Sequence, residues 1–157
     1  MTPPRLLSFA LLLLLAGCAA EAEPPSQTPP PTTERRVIHT DQAPAAVGPY
    51  SQAIQVGGHL YLAGQIGRDP ATGTLAEGVE AQTRQTMDNL NAVLTAAGYA
   101  MADVVQAQVF LADLDDFAVM NEIYASYFEA DPPTRATVQV ARLPRDARVE
   151  IMMVAMQ

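Results

Sequence analysis

The chemistry open to this chain rests on two charged residues near its C-terminal end. Between Val149 and Met156 the residues alternate. Val149, Ile151, Met153 and Ala155 point one way, and Glu150, Met152, Val154 and Met156 the other, as on a strand. Glu150 therefore shares a face with three apolar side chains. A carboxylate there is either solvated at a strand end or partly buried, with a raised pKa and a partner. Arg135 opens the preceding strand, directly after Pro132-Pro133-Thr134, with Thr137 and Gln139 on its own face. A guanidinium grips a carboxylate through two parallel hydrogen bonds and keeps its charge at any relevant pH. Arg135 thus either pairs with an acid of its own domain or faces a pocket, where a small carboxylate is the natural guest.

Other chemistries find little support. Cys18 is the only cysteine, so no intrachain disulfide and no cysteine-based zinc site can form. His39 and His59 have no carboxylate pattern beside them. They read as ordinary surface or strand histidines, and no metal is expected. The formal charge is −8, from 17 acids against 9 bases, and every base is an arginine. Such a surface repels a phosphate backbone, so no nucleic-acid partner is expected.

The elements that must hold Glu150 and Arg135 begin well inside the chain. Met1–Gly17 reads as an export leader: Arg5 supplies the positive end, and Leu6–Leu15 is an apolar run too short to span a bilayer. Leu15-Ala16-Gly17-Cys18 resembles the bacterial lipobox. That resemblance implies cleavage before Cys18 and a lipid on it, and two or three acyl chains give lasting membrane attachment. Ala19 and Ala20 carry no aspartate retention signal, which implies the periplasmic face of an outer membrane. Cys18–Arg36, with Pro24-Pro25 and Pro29-Pro30-Pro31, is a polar tether that cannot bury a core.

Val37–Gln157 is the folded domain. Ser51–Val56 and His59–Leu62 form a hairpin at Gly57-Gly58. Val79, Thr83, Met87, Leu90 and Leu94 recur at helical spacing until Gly98 stops them. Val104–Leu111 is a strand with Val105, Ala107, Val109 and Leu111 on one side and Val104 and Phe110 on the other. Asp115 or Asp116 caps a second helix, whose apolar face is Phe117, Met120, Ile123, Tyr124 and Tyr127. Arg135–Val140 and Val149–Met156 complete a β-β-α-β-α-β-β order. This is an α+β domain with both helices on one face of one sheet. The other face keeps apolar residues and needs a cover, most economically another copy of the chain.

Several stretches of this domain carry a resemblance. Ala43-Pro44-Ala45-Ala46-Val47-Gly48-Pro49-Tyr50-Ser51-Gln52-Ala53 and Gly64-Gln65-Ile66 come first. Pro133-Thr134-Arg135-Ala136, Val140-Ala141-Arg142-Leu143-Pro144 and Val149-Glu150-Ile151 follow. In this order and spacing they resemble the signatures of the RidA/YjgF family over nearly all of Val37–Gln157. The resemblance implies a chorismate-mutase-like fold, assembled as a homotrimer with the sheets forming a central barrel and sites between subunits. It implies a hydrolase like the 2-iminobutanoate/2-iminopropanoate deaminases, turning reactive 2-imino or enamino acids into 2-keto acids and ammonia without cofactor or metal. On the matching positions Arg135 would clamp the substrate carboxylate, and Glu150 would hold the attacking water and manage its proton. Tyr50 would line the cleft from the adjoining subunit. Thr137 stands where Cys or another small residue is frequent and would position water through its backbone. Gly67 stands where many members have Pro.

The alternative is a non-catalytic module, tethered to the membrane, that binds a small carboxylate or another protein. Binding alone would need Arg135 but not Glu150. The ribonuclease activity attributed to some of the family sits poorly with the acidic charge and the export leader.

Overall fold

The computed structural model describes residues 34–157; the leader, Cys18 and most of the tether lie outside them. Seven strands form one sheet. They are β1 (Arg35–Ile38), β2 (Ala53–Val56), β3 (His59–Leu62), β4 (Gln65–Ile66), β5 (Val104–Leu111), β6 (Thr134–Gln139) and β7 (Val149–Met156). Two helices accompany them, α1 (Gly78–Ala97) and α2 (Phe117–Ala125). The strand order is β1-β2-β3-β7-β5-β6, and β4 pairs with β7 further along it. Only β5 and β6 run parallel, because α2 carries the chain back between them.

The helices cover one face, as expected. Met87, Leu90, Val93 and Leu94 of α1 and Met120 of α2 are fully buried with Val109, Leu111, Val149 and Ile151 of the sheet. Burying each such side chain is worth roughly 1.5–3 kcal/mol. Gly98 ends α1 in the left-handed region at φ 88°, and the Gly98 and Tyr99 N–H groups donate to the Thr95 and Leu94 carbonyls. A side chain there would be strained, which is why the helical period stops at this residue. On the opposite face Glu150, Met152 and Val154 are half-buried, while Tyr61, Val138 and Met156 are 46–50% exposed. That face remains apolar and is left uncovered by the described residues.

Four details differ from the expectation. β1 starts at Arg35, inside the stretch assigned to the tether, and pairs with β2. It buries only Ile38, so no alternation announced it. Arg36 ties it down by donating to Gln55 Oε1 (2.9 Å) and to the Ala97 carbonyl at the end of α1 (3.0 Å). β4 is two residues long, too short for any periodic signal. In β5 the register shifts between Val104 and Gln106, so Val104 is buried and Val105 is 42% exposed, the reverse of simple alternation. The cap of the second helix also moves: Asp113 accepts the Asp115 N–H (3.0 Å) at a 3-10 turn, Leu114–Asp116, leading into α2. Asp116 instead pairs with Arg148 at 2.6 Å.

Candidate active site

Glu150 lies on the uncovered face of β7, where β3 gives way to β4. Gly64 lies in the short link between β3 and β4, and the carboxylate lies directly over it: a Cβ on residue 64 would come 2.1 Å from Glu150 Oε1. The carboxylate thus fits where a side chain would otherwise be, and it lines a cleft of about 370 Å³ walled by Pro44, Ala45, Tyr50 and Ile66. Burial pushes the Glu150 carboxyl above its ordinary value, with no opposing cation close enough to pull it back. Of the two readings open at Glu150, the half-buried acid holds, though among the described residues it has no hydrogen-bonding partner.

Polar groups inside the core position this cleft. The buried Gln52 amide donates to the Thr40, Ala43 and Pro44 carbonyls (3.0, 3.2 and 3.0 Å) and accepts the Thr40 N–H (2.8 Å). It thereby fixes the wall that carries Pro44 and Ala45. Asn89, buried on α1, donates to the Ile66 and Arg68 carbonyls (3.2 and 2.9 Å). Gln82 bridges the Ala76 carbonyl and the Arg148 N–H (2.9 and 2.7 Å). Gly67 packs against the backbone of α1, where a Cβ would meet Gln82 Cα at 2.5 Å.

Arg135 lies elsewhere. In register it pairs with Ala107 of β5, which pairs with Met153 of β7. All three point to the helix-covered face. Glu150 pairs with Phe110, on the other face. Arg135 donates to Asn121 Oδ1 (2.7 Å), and its guanidinium lies 4.6 Å from the Tyr124 ring centre and 5.8 Å from that of Phe117. Among the described residues no acid reaches it within ion-pairing distance, so it is not spent on an internal salt bridge. Asn121, Tyr124, Phe128, Pro132 and Pro133 shape a second hollow around it. Two buried hydroxyls nearby, Tyr124 Oη and Thr137 Oγ1, have no hydrogen-bond partner. Burial pushes the Tyr124 hydroxyl up to about 12, against the pull of the Arg135 charge.

One chain thus brings Tyr50 and Glu150 together and keeps Arg135 and Thr137 apart from them. Within one chain Tyr50 shares its cleft with Glu150, whereas Arg135 lines a separate hollow, so no joint Arg135–Glu150 pair forms in a single copy. The reason is parity: Arg135 and Glu150 fall on opposite sides of the sheet. Nothing in the sequence ties Asn121 or Tyr124 to Arg135, since Tyr124 fits an apolar helical stripe. Gln82 and Asn89 had a visible signal, as polar residues within the buried face of α1. His39 faces Asp41 at 3.3 Å on the surface, and His59 stacks on Tyr61 with ring centres 6.2 Å apart. Among the described residues no three metal-ligating side chains converge.

The fold has close counterparts. A mouse protein named 2-iminobutanoate/2-iminopropanoate deaminase is 50% identical over 124 residues, covering 78% of this chain and 92% of the mouse protein. The crystal structure of RidA from an Antarctic Psychrobacter superposes with a TM-score of 0.77 at 48% identity, covering 78% of this chain and 99% of that one. The structure of E. coli TdcF with bound serine gives a TM-score of 0.76 at 41% identity, over 78% and 98% of the two chains. Residues 40–157 match the family described as endoribonuclease L-PSP. With that match and relatives of this closeness, the chain belongs to the RidA/YjgF (endoribonuclease L-PSP) family.

Proposed function

We propose that this protein hydrolyses reactive 2-imino and enamino acids to 2-keto acids and ammonia, at a site made by two copies of the chain. The observation that carries the reading is the half-buried Glu150 in the Tyr50 cleft, with a raised pKa and room for a small molecule beside it. Arg135, held by Asn121 and Tyr124 with no acid to neutralise it, is the complementary half. A second copy laid against the uncovered sheet face, as in a homotrimer, brings an Arg135 to each cleft. The relative named as an imine deaminase supports the reaction, and the serine in the TdcF structure has the carboxylate and 2-nitrogen of such a substrate.

The reaction asks little of the protein. Arg135 holds the substrate carboxylate, which fixes the imine carbon beside a water near Glu150. The water oxygen bonds to that carbon while the C=N electron pair moves to nitrogen. Glu150 accepts the water proton and passes a proton to the nitrogen. The carbinolamine nitrogen then takes up the remaining hydroxyl proton by way of Glu150 as the C–N bond breaks, so that ammonia leaves and the ketone forms. A general acid–base of this kind contributes roughly 10²–10⁴-fold. Thr137, two residues along the same strand, helps position water through its backbone.

The second part of the proposal is place: the lipobox ending at Cys18 supports a lipid-anchored protein facing the periplasm from an outer membrane. Labelling with an alkyne fatty acid, lost in Cys18→Ala, tests the anchor. For the reaction, an amino-acid oxidase generates imines in place and semicarbazide traps those that survive. The protein should lower the trapped amount, and Arg135→Ala should not. Binding of 2-keto acids with no effect on imine lifetime would make it a small-carboxylate-binding module instead.

A further inference from the structure

The arginines divide by what they face. Among the described residues Arg84, Arg142 and Arg148 pair with Glu80, Asp146 and Asp116. Arg68 and Arg145 meet no carboxylate, in a chain whose net charge is −8, and both line the cleft that holds Tyr50 and Glu150. Their placement is built into the fold. Arg68 Nε donates to the Gly73 carbonyl (3.1 Å), and its own carbonyl is held by Asn89 (2.9 Å). Arg145 sits at φ 57°, ψ 22° and Asp146 at φ 58°. Two successive left-handed residues of this kind are costly and turn the chain sharply at the lip of the cleft.

Neither guanidinium group comes within ion-pairing distance of the Glu150 carboxylate, and all three line a cleft of about 370 Å³. A substrate with an uncharged side chain, such as an iminobutanoate, leaves that far charge unanswered. A substrate with a second carboxylate answers it.

We propose that this cleft selects 2-imino acids bearing a side-chain carboxylate, with Arg68 and Arg145 holding that distal group while Glu150 faces the imine carbon. The inference rests on the imine-hydrolase reading and deepens it. The reaction supplying such a substrate is the oxidation of an acidic 2-amino acid at its C–N bond by an oxidase or dehydrogenase.

The test uses the full chain in detergent and two product-like probes, 2-oxoglutarate and 2-oxobutanoate, with affinities read by calorimetry. The dicarboxylate should bind about tenfold or more tightly, the worth of one charge-assisted hydrogen bond. Arg145→Gln and Arg68→Gln should each shrink that ratio, Arg145→Lys should preserve most of it, and the double variant should bring it near unity. Equal affinities in the unmodified chain, or a preference that survives the double variant, would overturn the proposal. Arg135→Gln separates this from the underlying reading. It should weaken both probes alike; unchanged affinity for both would remove Arg135 from the site and leave the selectivity standing.

Discussion

A methyl group added at Gly64 would occupy the place where the Glu150 carboxylate now lies. Its Cβ would be 2.1 Å from Oε1 and 3.0 Å from Cδ, while ordinary contact begins near 3.4 Å. The carboxylate must therefore retreat by 3.4 − 2.1, or about 1.3 Å. A misplacement of about 1 Å in a catalytic group can cost roughly 10²-fold, so kcat/KM for imine hydrolysis should fall about 100-fold, or ~2.7 kcal/mol in transition-state stabilisation. Folding should hardly notice. Gly64 is not in the left-handed region, the atoms that yield belong to the end of a side chain, and Gly→Ala lowers unfolded-state entropy by about 0.4–1 kcal/mol. The assay is imine trapping beside thermal melting, in wild type, Gly64→Ala, Glu150→Ala and the double variant. In the Glu150→Ala background the added methyl should cost nothing further. A folded Gly64→Ala with full activity, or a second loss in the double variant, would refute the idea that Gly64 exists to seat that carboxylate.

Glu150 also sets a pH dependence. Its folded pKa lies above the ordinary 4.5, so the folded state binds this proton more tightly than the unfolded chain. The associated stability is complete at pH below that ordinary value and is lost as pH rises through the folded pKa. Glu150→Gln should then melt at or above the wild-type temperature at neutral pH and lose the advantage near pH 4, while kcat/KM collapses; melting curves across that range decide it. Arg135→Ala should remove most turnover from a folded protein, and Arg135→Lys should recover only part, since a lysine cannot present the two-pronged grip; steady-state imine assays read both. Tyr124→Phe keeps the ring under Arg135 but deletes a buried hydroxyl without a partner, so melting temperature should hold or rise and activity should persist. Tyr124→Leu loses a cation–π contact of about 0.5–2 kcal/mol and should raise KM more than it lowers kcat.

Much of this molecule could be read from residue order alone. The alternation from Val149 to Met156 marked both the strand and its buried face, and Gly98 marked the end of α1. Local patterns fail where geometry is set by a partner strand. The bulge that exchanges Val104 and Val105 changes no residue type, and β4 has two residues and hence no period. The same limit explains the candidate site. Parity says which residues of one strand share a face, but not which face of the next strand they join. Only the parallel register of β6 on β5, Ala107 beside Arg135, puts Arg135 on the helix side and away from Glu150. Asn121 and Tyr124 were legible as helix residues and not as the seat of a guanidinium, because that role depends on a contact between α2 and β6.

The division of the site between two copies can be tested by mixing. Arg135→Ala and Glu150→Ala chains, each inactive alone, are unfolded together, refolded as a mixture and assayed for imine hydrolysis. If each site draws Arg135 from one copy and Tyr50 and Glu150 from another, random assembly of equal amounts rebuilds about a quarter of the sites in a closed symmetric oligomer. Activity should return to about that fraction. A mixture that stays inactive although the chains co-assemble would contradict the account, since it would require Arg135 and Glu150 to act from the same chain.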